Sequence, residues 1–336
     1  MTLFGIFSRQ GRAAPRGDST ACVLLVADRP NWAYDSIAKA LVKHNDDPEL
    51  ALEVEYVKNG RRRLEDIHRD YDFVFMLGWQ LLGRLENGCV EPIHTFLDSA
   101  RTLTGIHSHH SWDDRRTQPD ESVLPPPVLV DFLNDFAGVN AVSRRLYELF
   151  MSSGLEQSSC TLNGVDTDLF TAECPIRTEG PLRVGFSGNN KHDWRKGISE
   201  FIEPACDMEG VELRLAMPKE GYHVPLDRMP GFYREIDAYV CASSSEGFSL
   251  SVLEAASSGR PVISTRVGGC EDLIIDGVNG FLVDRDVDAI REKVVFLRDN
   301  RNEAAKMGRM NRRVVEQLWS WKVRAGGWLA FIKGHL

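Results

Sequence analysis

Cysteine is scarce and odd in number. Seven thiols with no Cys-x-x-Cys pair suit neither a disulfide framework nor a zinc ribbon. They read most simply as reduced, mostly buried thiols of a cytoplasmic protein. No apolar run approaches the roughly 18 residues that a membrane-spanning helix requires. Basic excess is missing as well: Lys+Arg 40 against Asp+Glu 49 gives a net charge of −9. That balance argues against a non-specific nucleic-acid binder, which needs a basic surface. The leader MTLFGIFSRQGRAAPRGDST carries its basic residues after a short apolar piece, the reverse of a secretory signal. Residues 1–20 read as a frayed, disordered terminus. The alternative is peripheral contact with the inner face of a membrane through Leu3, Phe4, Ile6 and Phe7. What remains is ordinary globular material, 43% apolar and 26% charged over 336 residues. At about 150 residues per domain, the length suggests roughly two domains.

Strand-like runs alternate with helical patterns along nearly the whole chain, which predicts an α/β protein with parallel sheets covered by helices. The first series of expected strands is Ala21–Ala27, Leu52–Val57, Phe73–Leu77, Arg101–Ile106 and Gly138–Val142. After the first of these, Ile37, Ala38, Leu41 and Val42 mark the buried face of a helix. Ser143 looks like a helix N-cap, with Leu146, Leu149 and Phe150 on one apolar face. The second series is Leu182–Phe186, Val211–Ala216, Ala238–Ala242, Pro261–Thr265 and Gly280–Val283, followed by a helix near Asp288. The end, 319–336, spaces Trp319, Trp321 and Trp328 as a helix that could cross back to the first half. The expectation is two Rossmann-like domains, 21–165 and 166–318, facing across a cleft. Ligands of such sheets bind at the carboxyl ends of strands.

The segment Ser243–Gly259, SSSEGFSLSVLEAASSG, follows an expected strand and opens a helix near Ser249 or Ser251. Free amides and the dipole of a first helical turn suit an anion such as phosphate. Gly247 lets the backbone approach it. Phosphate would repel Glu246 and Glu254, so these need another partner. An ionised carboxylate accepts two hydrogen bonds and matches the vicinal hydroxyls of a sugar. The plainer reading is a helix start dressed with acids for its dipole.

Glu246 through Gly280, EGFSLSVLEAASSGRPVISTRVGGCEDLIIDGVNG, resembles the donor-site signature of the family-four retaining glycosyltransferases of the GT-B fold (glycosyl transferases group 1). Its parts are Glu246, seven intervening residues, Glu254, the strand Gly259-Arg260-Pro261-Val262 and the paired Gly268-Gly269. The likeness extends to Asn163-Gly164-Val165-Asp166 with Phe170, and to Ala141-Val142-Ser143. It implies the GT-B fold and a metal-independent, retaining transferase. Such an enzyme, a hexosyltransferase by the likeness, moves a sugar from a UDP-, GDP- or ADP-sugar to an acceptor hydroxyl. The acceptor would be a glycan, a lipid-linked or a small molecule, and no cofactor is implied.

By the same likeness, Lys196 of Arg195-Lys196-Gly197 stabilises the leaving diphosphate. Glu254 holds the ribose, Glu246 the transferred sugar, and His107 orients donor and acceptor from the first domain. Gly188, Asn190, Lys191, Arg195, Gly247, Phe248, Ser249 and Leu250 complete the donor side. Where the family usually has an Arg after the Gly of this turn, the chain has Asn189 and Asn190, then Lys191. Lys191 or Arg195 would replace that charge. This departure, with the unusual loop Asp28-Arg29-Pro30-Asn31-Trp32-Ala33-Tyr34, motivates an alternative: a catalytically silent sugar-nucleotide-binding subunit. Trp32 reads either as an aromatic platform for a sugar ring or as a buried side chain. Met229-Pro230-Gly231-Phe232-Tyr233 falls where the family holds the nucleotide base.

His107, His109 and His110 could instead bind a metal, but Ser111, Trp112 and Asp113 complete no familiar ligand spacing. Asp166–Asp168 and Asp284–Asp286 look like loop and surface acids. Cys22, Cys241 and Cys270 sit in apolar or small-residue settings that suit packing. Gly185-Phe186-Ser187-Gly188 is half a dinucleotide fingerprint and a weak signal.

Overall fold

Two all-parallel sheets account for the alternating pattern. The computed structural model describes residues 20–57, 70–109, 112, 123–188, 193–217 and 224–336. The first sheet contains β1 (Ala21–Ala27), β2 (Leu50–Tyr56), β3 (Phe73–Met76), β6 (Thr102–Ile106), β7 (Gly138–Ala141) and β8 (Ser158–Cys160), in the order β2-β1-β3-β6-β7-β8. The second contains β9 (Leu182–Ser187), β10 (Val211–Ala216), β11 (Ala238–Cys241), β12 (Val262–Thr265) and β13 (Gly280–Val283), in the order β10-β9-β11-β12-β13. Central strands such as β1, β7, β11 and β12 are buried almost end to end, as parallel strands covered on both faces must be. Expected strands and observed ones agree to within a residue or two.

Two elements carry no periodic signal. The short, polar β8 extends the first sheet at its edge. β4 (Gly83–Glu86) and β5 (Cys89–Pro92) form an antiparallel hairpin. Its turn is Asn87-Gly88, with φ of 51° and 78°, the left-handed pair that a two-residue type I′ turn demands.

Helix α1 (Ala33–Lys43) buries Ile37, Ala38, Ala40 and Leu41, but Val42 is 42% exposed and lies off the packed face. Asp35 takes a place on that face instead. It is buried, and it accepts hydrogen bonds from the Asn31 amide (2.6 Å), Lys39 Nζ (2.8 Å) and Tyr56 Oη (2.8 Å). Helices α2 (Pro127–Asn134) and α3 (Arg144–Ser152) follow, α3 being capped by Ser143, whose Oγ accepts from the Leu146 amide. The second domain adds α4 (Met229–Glu235), α5 (Leu250–Ser257), α6 (Val287–Asp299) and α7 (Arg301–Val314). Asp286 caps α6 by accepting from the Asp288 and Ala289 amides.

The last helix, α8 (Trp321–Lys333), packs on the first domain. Val165 and Ser320 form a parallel bridge, with Val165 N donating to Trp319 O and Trp321 N to Val165 O. Trp328 is fully buried, donates Nε1–H to Leu162 O at 3.0 Å and lies 6.1 Å from the Phe75 ring. One apolar cluster therefore runs from the first sheet through Trp328 and Trp319 to Phe248 and α5, while a second lies within the other domain. Across the domains, Arg145 pairs with Glu271, and Arg144 lies 3.5 Å from Asp272. Among the described residues no helix is long and apolar enough to cross a membrane.

Candidate active site at the domain interface

The carboxyl ends of the two sheets meet. A Cβ on Gly247, in the loop after β11, would overlap the carbonyl of His107, which follows β6 of the other sheet. Only glycine permits that approach. The Gly268-Gly269 turn clasps the same loop from behind, with Gly269 N donating to Gly247 O at 3.3 Å. Phe248 stacks 5.3 Å from Trp319. Ser249 is the residue before α5, so the free amides of that helix open at this interface.

Glu246 finds its partner in Lys196. Their ion pair is largely removed from water, with side chains 9% and 15% exposed. Ser243 Oγ donates to the same Glu246 oxygen at 2.6 Å. Lys196 ends a single turn, Asp193–Lys196. Gly197 then takes φ +66°, and a Cβ there would come within 2.8 Å of Ala242 O. That turn seats Lys196 beside a residue 50 positions away. Burial pushes the Glu246 carboxyl up, but Lys196, Arg195 and the hydrogen bonds outweigh it and hold Glu246 below the ordinary glutamate value. Arg195 reaches the same loop, with Nη1 3.4 Å from Ser245 O and its own carbonyl accepting from the Ser244 amide at 2.8 Å.

Glu254 departs from expectation. It is not an ordinary ionised carboxylate: burial raises it to about 7, and hydrogen bonding from Tyr233 only partly offsets that. Tyr233 Oη donates to Glu254 Oε2 at 2.8 Å and also lies 2.8 Å from Ser187 Oγ. Ser187 ends β9, and Gly188 beside it donates its amide to Ser187's neighbour across the sheet, Ala216 O, at 3.1 Å. The relay Ser187–Tyr233–Glu254 joins three separate segments, and no sequence spacing signals it. Beside Glu254 and Leu250 a cavity of about 270 Å³ opens between α1 and the interdomain linker, with Lys43, Phe170 and Trp321 on its walls.

On the first domain, burial pushes His107 down to about 3, although its ring hydrogen-bonds the Leu77 backbone. It is a neutral imidazole, with Nε2 buried and unpartnered. Tyr34 meets the His107 ring edge-on at 4.7 Å. Trp32 is 46% exposed, with the Arg29 guanidinium 3.3 Å over its ring, so the buried alternative for Trp32 is wrong. The loop turns outward at Asn31, whose φ is 62°.

The structure thus brings His107, Lys196, Arg195, Glu246, Gly247, Phe248, Ser249 and Leu250 to one interface. Glu254 and Gly188 lie at its flank. Asn190 and Lys191, with Asn189, His110, Ser111 and Asp113, lie outside the described residues, as do Leu3, Phe4, Ile6 and Phe7. Asp166 and Asp168 pair with Lys43 and Lys322 at the linker. Cys22, Cys241 and Cys270 are buried.

Residues 219–300 match the family described as Glycosyl transferases group 1. A GDP-mannose-dependent alpha-(1-6)-phosphatidylinositol monomannoside mannosyltransferase of Mycolicibacterium smegmatis is 30% identical over 120 residues, 33% of this chain and 31% of that protein. A sucrose synthase of Melioribacter roseus is 33% identical over 191 residues, 55% of this chain and 21% of that protein. The chain thus spans no more than about a third of the length of the curated relatives it matches. Among solved structures, sucrose-phosphate synthase from Thermosynechococcus elongatus superimposes with a TM-score of 0.69 at 14% identity, over 94% of this chain and 98% of that one. HepE of Anabaena in complex with UDP-glucose gives 0.69 at 15%, over 94% and 100%. The chain has the GT-B fold, and residues 219–300 of its second domain are similar to the glycosyl transferases group 1 family.

Proposed function

We propose that the chain is a glycosyltransferase that moves a sugar from a nucleoside-diphosphate sugar to an acceptor hydroxyl, with retention at the anomeric carbon and without a metal ion. The observation that carries this reading is the buried Lys196–Glu246 pair at the start of α5. A diphosphate seated on the α5 amides is within the field of Lys196 and Arg195, and fixed cations aimed at a leaving group stabilise its developing charge. Glu246, tied to Lys196 and Ser243, faces the transferred sugar and accepts from one of its hydroxyls. Glu254 takes the ribose hydroxyls beside the cavity. The neutral His107 approaches from the first domain and orders donor against acceptor. In this mechanism the acceptor attacks from the face the diphosphate leaves, and a phosphate oxygen takes its proton. No side chain forms a covalent bond. The close fit of Gly247 on His107 excludes water from the reacting atoms and limits donor hydrolysis.

A thermal-shift panel of UDP-, GDP- and ADP-sugars tests the reading, because a ligand that binds the folded state alone raises apparent stability. One donor class should shift the melting temperature and then be turned over in the presence of acceptor. Binding without any turnover favours the silent subunit, and no shift with any member of the panel overturns both.

A further inference from the structure

A cavity of about 690 Å³ lies away from the donor side, between α7 and residues 172–176. Gly259, two residues beyond the end of α5, forms part of its wall. Ser249, where the α5 amides open at the domain interface, is at the other end of that helix, about 12 Å off at 1.5 Å per residue. Gly308 of α7 sits against Gly259, and a Cβ there would come within 2.1 Å of the Gly259 carbonyl oxygen. Arg312 ties the same helix to the chain around it by donating to the carbonyls of Thr167, Phe170 and Ser257. Both walls of the cavity are thereby fixed, and Arg312 is committed to the protein.

Lys306, Arg309 and Arg313 also line the cavity. Spaced i, i+3 and i+7, they form one stripe on α7, and like charges at that spacing repel. Lys306 has Glu303 at 2.6 Å. Arg309 and Arg313 are exposed, and among the described residues neither has a hydrogen-bond or ion-pair partner. The positive excess continues behind the opposite wall. Arg260 is fully buried and donates from Nη2 to the carbonyl of Cys174, a wall residue, at 2.6 Å. The carboxylate whose field reaches Arg260, Asp237, is already paired with Arg177 and Arg301. In a chain of net charge −9, a concave wall of this sign concentrates anions.

Two neighbouring guanidiniums without acids match a dianion. Each can donate two parallel N–H bonds to phosphate oxygens, whereas a lone carboxylate would neutralise only one of them. Glu173, on the wall opposite α7, repels a second phosphate but accepts from a hydroxyl. The volume is that of an ordinary small-molecule site, and a flat bilayer cannot enter it. We propose that this cavity binds the phosphate monoester of a small hydroxylated molecule, with the phosphate held between Arg309 and Arg313. The site is separate from the donor side and does not depend on the transferase reading.

Calorimetry on the full chain with glucose 6-phosphate as the probe tests this, with UDP and GDP in excess to occupy the α5 amides. The probe should bind with a dissociation constant below about 1 mM and more tightly than inorganic phosphate. Arg309→Gln and Arg313→Gln should each weaken it at least tenfold, while Lys293→Gln on α6 changes it less than twofold. Glucose 6-phosphate should raise the melting temperature of the wild type but not of the Arg309→Gln/Arg313→Gln double variant. Without ligand the double variant should melt no lower than the wild type, because it loses a repulsion and no contact. Lower melting would make the pair structural and overturn the proposal. Retained affinity in the double variant, displacement by UDP or GDP, or inorganic phosphate binding as tightly as the ester overturns it too. So does binding confined to vesicles of phosphatidic acid in phosphatidylcholine, which would make the ligand a lipid surface.

Discussion

Glu254→Gln separates charge from shape at the donor side. Burial raises the Glu254 carboxyl from 4.5 to about 7. A tenfold gain in proton affinity corresponds to about 1.4 kcal/mol, so ionising Glu254 costs the folded state on the order of 3 kcal/mol at high pH. The folded chain holds this proton more tightly than the unfolded chain. Stability from this group is therefore full below the unfolded value near 4.5 and is lost as pH rises through 7. Glutamine keeps an oxygen for the Tyr233 hydroxyl but cannot ionise. Its effect on unfolding free energy should be more favourable at pH 8.5 than at pH 5 by roughly 2–3 kcal/mol, since the penalty at pH 5 is under about 1 kcal/mol. Urea titrations at the two pH values measure that difference. The same variant should bind the donor at least tenfold more weakly by calorimetry at pH 8.5, because a charge-assisted hydrogen bond contributes about 1.5–3 kcal/mol. Wild-type donor affinity should itself weaken as pH falls below 7. A Gln effect on stability that is the same at both pH values would refute the assigned burial of Glu254. Unchanged donor affinity would remove Glu254 from the donor site.

Lys196→Ala should lower turnover by a factor on the order of 100 and also destabilise the fold by about 3–5 kcal/mol, since it strands the buried Glu246 charge. Adding Glu246→Gln should recover stability without recovering turnover, as read by thermal melts and steady-state rates. Gly247→Ala forces the two sheets apart at the His107 carbonyl, so it should cut kcat/KM by roughly 100-fold while increasing the radius of gyration in small-angle scattering. Trp328→Ala empties a fully buried site between α8 and the first sheet and should cost about 3–5 kcal/mol in chemical denaturation. Transfer should persist in excess EDTA, and loss restored only by manganese would overturn the metal-free mechanism.

Much of the strand order along the chain and the helix start at Ser249 are legible because they depend on neighbours in sequence: runs of apolar residues, a capping serine at 143, glycines at 247 and 268–269. The family signature from Glu246 to Gly280 lies within one continuous stretch for the same reason. The hairpin at Asn87-Gly88 escapes the periodic pattern because its strands are short and half polar, although the turn itself carries the type I′ pair. Val42 falls outside the packed face because a helical period fixes spacing but not how wide the packed stripe is.

Other features belong to the tertiary structure alone. That Lys196 neutralises Glu246, that Glu254 sits near neutrality under Tyr233, and that His107 stays uncharged against Gly247 all depend on groups brought together from 21 to 140 positions apart. Local propensity sets which backbone shape each segment adopts. Charge state depends on which distant segments remove water from a group and which hydrogen-bond or ion partners they supply, and folding alone decides that.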